Sequence, residues 1–277
     1  MPKVGSRRSL LKLASVALPF GSLGFRLPMA GTKVADKADS SNREAVTDMF
    51  PTQSPELTRE MVTVSHFNVN RVKELVQSRP SLARASWDWG FGDWESALGA
   101  ASHMGNRPIA EYLISKGARP SLFSAAMLGQ LEVVTAMIAA NPHAESIRGP
   151  HGIGLLAHAK IGGEPARPVF EFLQSLGDAD ADPPAPLSDS EIAALAGTYV
   201  FGFGVNQQID LTAERRENTL TWTRKGMMGR PLVHLGDRSF YPAGAPSVRI
   251  RFAEEGASVV MTIYDPEVVL VALRRRE

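Results

Sequence analysis

One short apolar pattern recurs four times between residues 72 and 173, and it constrains the fold more than any other feature of this 277-residue chain. Each copy has apolar residues at positions i, i+3 and i+4, which lie on one face of a helix. The copies are Val72, Leu75 and Val76; Ile109, Tyr112 and Leu113; Val133, Ala136 and Met137; and Val169, Phe172 and Leu173. The turn residues that precede them are Asn68, Gly105, Gly129 and Gly162. The repetition predicts helical units that bury their apolar faces against one another.

The best-formed unit runs from Trp94 to Pro120 and resembles one ankyrin repeat. The run Ser96-Ala97-Leu98-Gly99-Ala100-Ala101 corresponds to the family's T-P-L-H-x-A motif, and Gly117-Ala118 to its closing Gly-Ala. The resemblance implies an α-helical ankyrin-repeat solenoid of about four units over residues 54–177. Ser54-Pro55-Glu56 is a helix start signal and marks its beginning. Ankyrin repeats mostly bind proteins, so the resemblance also implies a protein or peptide partner.

An aromatic stretch between the first two units is the first candidate binding surface. Its aromatic residues are Trp87, Trp89, Phe91 and Trp94. Gly90 and Gly92 permit a tight turn, and ankyrin proteins place a β-hairpin finger at this point. Aromatic side chains in a finger either anchor a partner or fold inward and pack on the rest of the protein. The sequence leaves both alternatives open.

The concave face of the solenoid is the second candidate. In the ankyrin family the two residues before the turn glycine are frequent contact positions. Here they are His66, Phe67, His103, Met104, Met127, Leu128, Lys160 and Ile161. This mainly apolar set favours a protein or peptide over a polyanion. His66 and His103 occupy equivalent positions and are expected to lie close together as solvated surface residues. A metal site needs a third ligand, which we do not find in the sequence, so no metal or cofactor is predicted.

The composition changes at residues 178–187, where acidic residues, alanine and proline predict a stiff linker. Ser188 and Glu191 then form a capping box that opens a short helix. Eight strand-like runs with a period of two follow, and they predict a small antiparallel β-barrel over residues 188–277. The run Leu195-Ala196-Gly197-Thr198-Tyr199, together with Arg230-Pro231-Leu232, resembles the small lipocalin-like domain of some exported bacterial proteins. Many bulky inward residues favour a filled barrel over a ligand cavity.

Residues 1–30 contain five basic residues and no acidic ones. Ser6-Arg7-Arg8-Ser9-Leu10-Leu11-Lys12 resembles the twin-arginine export motif, and a moderately apolar run follows it. The resemblance implies a cleaved signal peptide and a periplasmic bacterial protein that meets the membrane only transiently. Residues 31–53 are polar with few apolar residues, which predicts a disordered spacer. An uncleaved anchor or a basic leader is the alternative. Without residues 1–30 the chain is acidic overall, which argues against a nucleic-acid partner.

Known catalytic motifs do not occur in this sequence, which lacks H-E-x-x-H, G-x-S-x-G and a P-loop. The chain has no cysteine, which excludes disulfides and thiolate chemistry. The sequence therefore predicts a multidomain α + β protein, exported and non-enzymatic. It is expected to bind a protein or peptide through its concave face and aromatic finger. The alternatives are a carrier of a small apolar ligand in the barrel and an enzyme with a site between the domains.

Overall fold

The computed structural model describes residues 51–177, 186–202, 204, 207–214, 219–266 and 268–275. The predicted signal peptide, nearly all of the spacer and most of the linker lie outside this part of the chain. The helices are α1 Pro55–Val64, α2 Val69–Ser78, α3 Ala97–His103, α4 Arg107–Ser115, α5 Leu122–Leu128, α6 Leu131–Ala140, α7 Leu155–Ile161, α8 Arg167–Leu176 and α9 Asp189–Leu195. The strands are β1 Ser86–Asp88, β2 Trp94–Ser96, β3 Gly197–Val200, β4 Gln208–Glu214, β5 Thr219–Arg224, β6 Arg230–Gly236, β7 Ser239–Pro242, β8 Arg249–Glu255, β9 Ser258–Asp265 and β10 Val268–Arg274.

The first eight helices form four consecutive pairs, α1 with α2 through α7 with α8, at the positions of the four predicted units. The N-terminal helices of neighbouring pairs also contact one another, in the order α1, α3, α5 and α7. Capping side chains define the helix starts. Ser54 accepts a hydrogen bond from the Leu57 amide, and Asn68 and Asn106 cap α2 and α4 in the same way. Within the described residues, no helix combines the length and the hydropathy needed to cross a membrane.

The predicted apolar faces pack inward in three of the four pairs, although Tyr112 and Phe172 are only half-buried, and the pair α5–α6 is the exception. In α6 the buried residue is Val134, whereas Val133 and Met137 are exposed. The predicted triplet was therefore wrong by one position. The helix sequence LEVVTAMIAA is apolar on nearly every side, so its periodicity does not select a face. Packing of α6 on α5 and α8 selects it instead.

A β-hairpin formed by β1 and β2 lies between the first two helix pairs, where the sequence predicted one. We call residues 86–96 the finger. Its tip has positive φ angles at three consecutive residues, Gly90 (111°), Phe91 (59°) and Gly92 (74°). Phe91 is strained there by roughly 1 kcal/mol, because a side chain disfavours the left-handed region. Its ring packs against Trp222 of the barrel, with the ring centroids 5.2 Å apart.

Strands β3 to β10 form a closed antiparallel barrel, as predicted, and each strand pairs with its neighbours in the chain until β10 returns to β3. The inward positions are filled by large apolar side chains, among them Tyr199, Ile209 and Phe240. The Tyr199 hydroxyl donates a hydrogen bond to the Leu195 carbonyl over 2.9 Å and so ties α9 to the barrel. Helix α9 begins with the predicted capping box of Ser188 and Glu191.

Candidate metal centre

Four side chains from distant parts of the sequence converge beside the finger. His66 follows α1, Glu95 lies on β2, His103 is the last residue of α3, and His151 lies in a 3-10 turn, Pro150–Gly152. One nitrogen or oxygen atom from each of the four lies within 4.8 Å of the others. The Glu95 side chain is completely buried, and the three histidines are mostly buried.

The distances within this cluster match the size of a metal coordination shell. Glu95 Oε1 lies 2.9 Å from His103 Nε2 and 3.5 Å from His151 Nε2. Glu95 Oε2 lies 3.5 Å from His66 Nε2. Nitrogen and oxygen ligands bind zinc at about 2.0–2.2 Å in a tetrahedral arrangement, which places them roughly 3.4 Å apart. The three measured distances, 2.9–3.5 Å, are close to that separation.

Three atoms at the middle of the cluster have no hydrogen-bond partner although they are buried: Glu95 Oε1, His103 Nε2 and His151 Nε2. The 2.9 Å contact between Glu95 and His103 is short enough for a hydrogen bond but is not aligned as one. A buried polar atom without a partner costs about 1–3 kcal/mol. A cation between these atoms would satisfy all three at once.

The outer nitrogens of two histidines fix which nitrogen faces the centre. His66 Nδ1 lies 3.1 Å and 3.0 Å from the carbonyl oxygens of Val62 and Thr63, so it carries the hydrogen that donates to them. His151 Nδ1 lies 2.7 Å from Asp93 Oδ2 and donates to that carboxylate. In its neutral form each ring then presents the lone pair of its Nε2 to the centre. This outer hydrogen bonding is the usual arrangement around metal-binding histidines.

Glu95 is oriented in a similar way by Trp89. The indole Nε1 of Trp89 donates a hydrogen bond of 2.7 Å to Glu95 Oε2, which leaves Oε1 facing His103 and His151. Trp89 is buried, and its ring lies beside those of His66 and His151. The finger therefore supplies both a candidate ligand and the side chain that orients it.

Asp93 connects the cluster to the barrel. Its Oδ1 accepts the backbone amide of His151 over 3.0 Å, and its Oδ2 accepts both the His151 ring and Arg230 Nη1 of β6. Gly244 packs directly on this carboxylate. A Cβ atom at Gly244 would lie 2.7 Å from Asp93 Cγ, so the close approach requires glycine.

The cluster has room in its charge balance for one positive charge, supplied by a proton on His151 or by a metal ion. Burial alone would raise the pKa of Glu95, but its contacts with His103 and His151 outweigh burial and lower it to about 2. Burial would lower the pKa of His151, but its contacts with Asp93 and Glu95 raise it to about 9. The carboxylate of Asp93 pairs with the guanidinium of Arg230, whereas the buried carboxylate of Glu95 has only histidines as ionisable contacts. A proton on His151 or a metal ion balances the remaining negative charge.

The predicted finger residues divide between the interior and the surface. Trp89 is buried against Glu95, and Trp87 and Phe91 are half-buried. Trp94 is 64% exposed and remains available to a partner. Of the two alternatives for the finger aromatics, anchoring a partner or packing inward, Trp89 and Phe91 therefore follow the second.

The predicted concave-face residues also divide. His66 and His103 lie close together as predicted, with ring centroids 4.9 Å apart. They are not solvated surface residues, and the expectation that no third ligand exists was wrong, because Glu95 and His151 lie beside them.

Of the remaining predicted contact residues, one is misplaced. Phe67 is 67% exposed, Met104 and Lys160 are exposed, and Leu128 is half-buried. Met127 was wrong as a surface residue: it is 0% exposed because it packs into the core of the first two helix pairs.

Four residues of the cluster and its surroundings were missed: Asp93, Glu95, His151 and Arg230. One sequence signal pointed to the first two, since two carboxylates alternate with Trp94 in an otherwise aromatic stretch. Residues at i and i+2 of a strand share a face, so paired carboxylates there can face one site. His151 and Arg230 reach the site only through the tertiary fold.

Two cavities lie near the finger. A cleft of about 440 Å³ between the helical part and the barrel is lined by His151, Arg148 and Tyr241, among others. An apolar cavity of about 160 Å³ lies at the barrel mouth beside Phe91 and Trp222. This small, mainly apolar cavity is one place that the predicted alternative of an apolar-ligand carrier could use.

In comparisons with known proteins, no family model matches this chain and no curated protein matches it. The ankyrin-like and lipocalin-like resemblances therefore stay predictions. The assignment of the site depends on its geometry alone.

Proposed function

We propose that this protein binds one divalent first-row transition-metal ion through His66, Glu95, His103 and His151. The observation that carries the proposal is the convergence of Glu95 Oε1, His103 Nε2 and His151 Nε2, buried and without hydrogen-bond partners. The outer hydrogen bonds of His66 and His151 support it, because they direct the free Nε2 lone pairs toward one point.

The donor set favours particular metals. Three imidazole nitrogens and one carboxylate oxygen suit zinc, copper, iron or nickel, whereas magnesium and calcium prefer oxygen ligands alone. Zinc is the first ion to test, because it accepts four nitrogen and oxygen ligands in a tetrahedral arrangement. We propose a binding site and assign no reaction to it.

The ion would join segments that are far apart in the chain. His66 and His103 belong to the first two helix pairs, Glu95 to the finger and His151 to the turn before the fourth pair. An ion that binds only the folded arrangement stabilises it by about 2.7 kcal/mol when its concentration is 100 times the dissociation constant. For a domain of this size that corresponds to a rise of roughly 5 to 10 °C in melting temperature.

The experiment is a calorimetric titration of chelator-treated protein with Zn²⁺, followed by a thermal melt with and without the ion. We expect one ion for each chain and a higher melting temperature in its presence. His103→Ala and Glu95→Gln each remove a ligand and should abolish tight binding. His143→Ala is the matched control, because the His143 side chain is 88% exposed and lies outside the cluster.

Two results would contradict the proposal. One is a wild-type protein that takes up no zinc, copper, iron or nickel ion. The other is a loss of binding in His143→Ala equal to that in His103→Ala, which would indicate adventitious surface binding. A parallel titration with Mg²⁺ should show no saturable site, since a histidine-rich centre disfavours that ion.

A second candidate function is supported by an apolar strip at the ends of three N-terminal helices. Phe67 follows α1, Met104 follows α3 and Ile161 ends α7, and all three side chains are exposed. Exposed apolar clusters of this kind are typical of protein-binding surfaces. We propose that the strip, with Trp94, binds a protein or peptide. The basic and then apolar N-terminal sequence supports a periplasmic location for that partner.

The test is an affinity capture from periplasmic extract with wild-type protein and with the double variant Phe67→Ser/Met104→Ser. A captured protein should be lost from the double variant. Val271→Ser is the control, since Val271 is about as exposed as Met104 but lies on the barrel. Equal capture by all three proteins would refute a role for the strip.

A further inference from the structure

Arg230 of the barrel is an unusual residue because its guanidinium is buried where the barrel meets the finger. Only 2% of Arg230 is exposed. Its Nη1 contacts Asp93 Oδ2 and also donates to the Ala243 carbonyl over 2.9 Å, and its Nη2 donates to the Gly90 carbonyl over 3.4 Å. A buried charge is costly unless it is paired, so the pairing with Asp93 is what stabilises this position.

Asp93 links Arg230 to the cluster. Its carboxylate is held by Arg230 on one side and holds His151 on the other, through the ring Nδ1 at 2.7 Å and the backbone amide at 3.0 Å. His151 in turn directs Nε2 toward Glu95 Oε1 at 3.5 Å. A chain of contacts therefore runs from the barrel to the centre, although Arg230 and Asp93 are 137 residues apart in sequence.

We infer that Arg230 is a positioning residue for the metal centre, which it completes by fixing Asp93 and, through Asp93, the orientation of His151. The inference depends on the proposed metal binding. It gives the barrel a role, since a helical part without β6 would lack the group that holds Asp93. Loss of such an outer hydrogen-bond partner typically costs about 10- to 100-fold in metal affinity.

The geometry is specific for arginine. One planar guanidinium reaches the Asp93 carboxylate and the two carbonyls of Gly90 and Ala243 at the same time. A lysine ammonium keeps the charge but is a single point donor on a flexible stem. Arg230→Lys should therefore restore only part of the affinity that Arg230→Met loses.

The experiment measures the Zn²⁺ dissociation constant of the full protein by competition with a chelator. The variants are Arg230→Met, Arg230→Lys, Asp93→Asn and the double variant Asp93→Asn/Arg230→Met. We expect Arg230→Met to bind zinc about 10- to 100-fold more weakly than wild type. Arg238→Met is the matched control and should bind like wild type, because Arg238 is a barrel arginine whose partner is the exposed Glu254.

The double variant separates positioning from general stability. If Arg230 acts through Asp93, the double variant should bind zinc no more weakly than Asp93→Asn alone. The visible absorption of bound Co²⁺ should also change in Arg230→Met, because it reports ligand geometry at the metal, and should be unchanged in Arg238→Met. If Arg230→Met does not fold, Arg230→Lys carries the test through the same two measurements.

Three outcomes would overturn the inference while leaving the metal site in place. One is wild-type zinc affinity in Arg230→Met or, where only the lysine variant folds, in Arg230→Lys. Another is a loss in the double variant equal to the product of the two single losses. The last is a cobalt spectrum that Arg230→Met leaves unchanged. A wild-type protein that binds no metal would instead refute the proposed function itself.

Discussion

His158 makes the stability of this protein fall as the solution becomes acidic. The residue lies on α7, is 1% exposed and packs against the Phe123 ring. Its Nδ1 lies 2.8 Å from the Gly154 carbonyl, to which it donates when neutral. Burial lowers the pKa of His158 from 6.5 to about 4. The folded protein therefore holds this ring neutral at pH values where the unfolded chain has already bound a proton.

The sign and the size of the effect follow from that interval. Above pH 6.5 the ring is neutral in both states, and its contribution to the unfolding free energy is fully present. Between pH 6.5 and about 4 the unfolded chain binds a proton that the folded protein does not, so stability falls as the pH falls. At about 1.36 kcal/mol for each pH unit, the loss amounts to roughly 3 kcal/mol.

The assay is urea unfolding of wild type and His158→Leu at pH 7.0, 5.5 and 4.5, with a chelator present to exclude metal. At pH 7.0 the unfolding free energy of the variant should be about 1 kcal/mol lower than that of wild type, because the hydrogen bond to the Gly154 carbonyl is lost. As the pH falls, wild type should lose most of the roughly 3 kcal/mol, whereas the variant should not, because leucine does not titrate. His143→Gln, changed at an exposed histidine, should follow wild type. A difference between wild type and His158→Leu that stays constant across the three pH values would refute the argument.

Two further predictions concern backbone positions at the junction of finger and barrel. Gly244→Ala should lower the unfolding free energy by about 2 kcal/mol more than Gly256→Ala. Both glycines have a positive φ, but only at position 244 would the added Cβ atom clash with Asp93. Equal losses in urea unfolding would exclude the clash. The Phe91→Gly variant should have a higher unfolding free energy than Phe91→Ala, by about 1 kcal/mol. Both variants lose the contact with Trp222, but glycine accepts a φ of 59° without strain. A more stable alanine variant would contradict this.

The barrel was predictable from the sequence because its signal is local. Alternating apolar residues mark each strand, and turn residues separate the strands. Every strand pairing from β3–β4 to β9–β10 joins strands that are neighbours in the chain. The helix pairs were predictable for the same reason, through the recurring triplet and capping residues such as Ser54 and Asn68. The prediction was wrong in α6, where apolar residues on nearly every side leave the buried face to tertiary packing.

The candidate site was only half predictable. The equivalence of His66 and His103 in neighbouring units correctly placed them together. Their partners come from the finger and from the turn before the fourth helix pair, and no local pattern connects those segments. The exposure of Met127 was wrong for a related reason, because the repeat pattern assigned it to a face that the neighbouring helices cover.

The alternation of side chains in the finger has a consequence for recognising relatives of this protein. Trp89 orients Glu95, Phe91 packs on the barrel, Asp93 holds His151, and Glu95 enters the centre. A one-residue insertion between Asp93 and Glu95 would turn these two side chains, which now serve one site, to opposite faces of the strand. Evolution should therefore conserve the length of this segment more strictly than most of its neighbours. A tryptophan, an aspartate and a glutamate at relative positions 0, 4 and 6 would then mark a homologue that keeps both the centre and its attachment to the barrel.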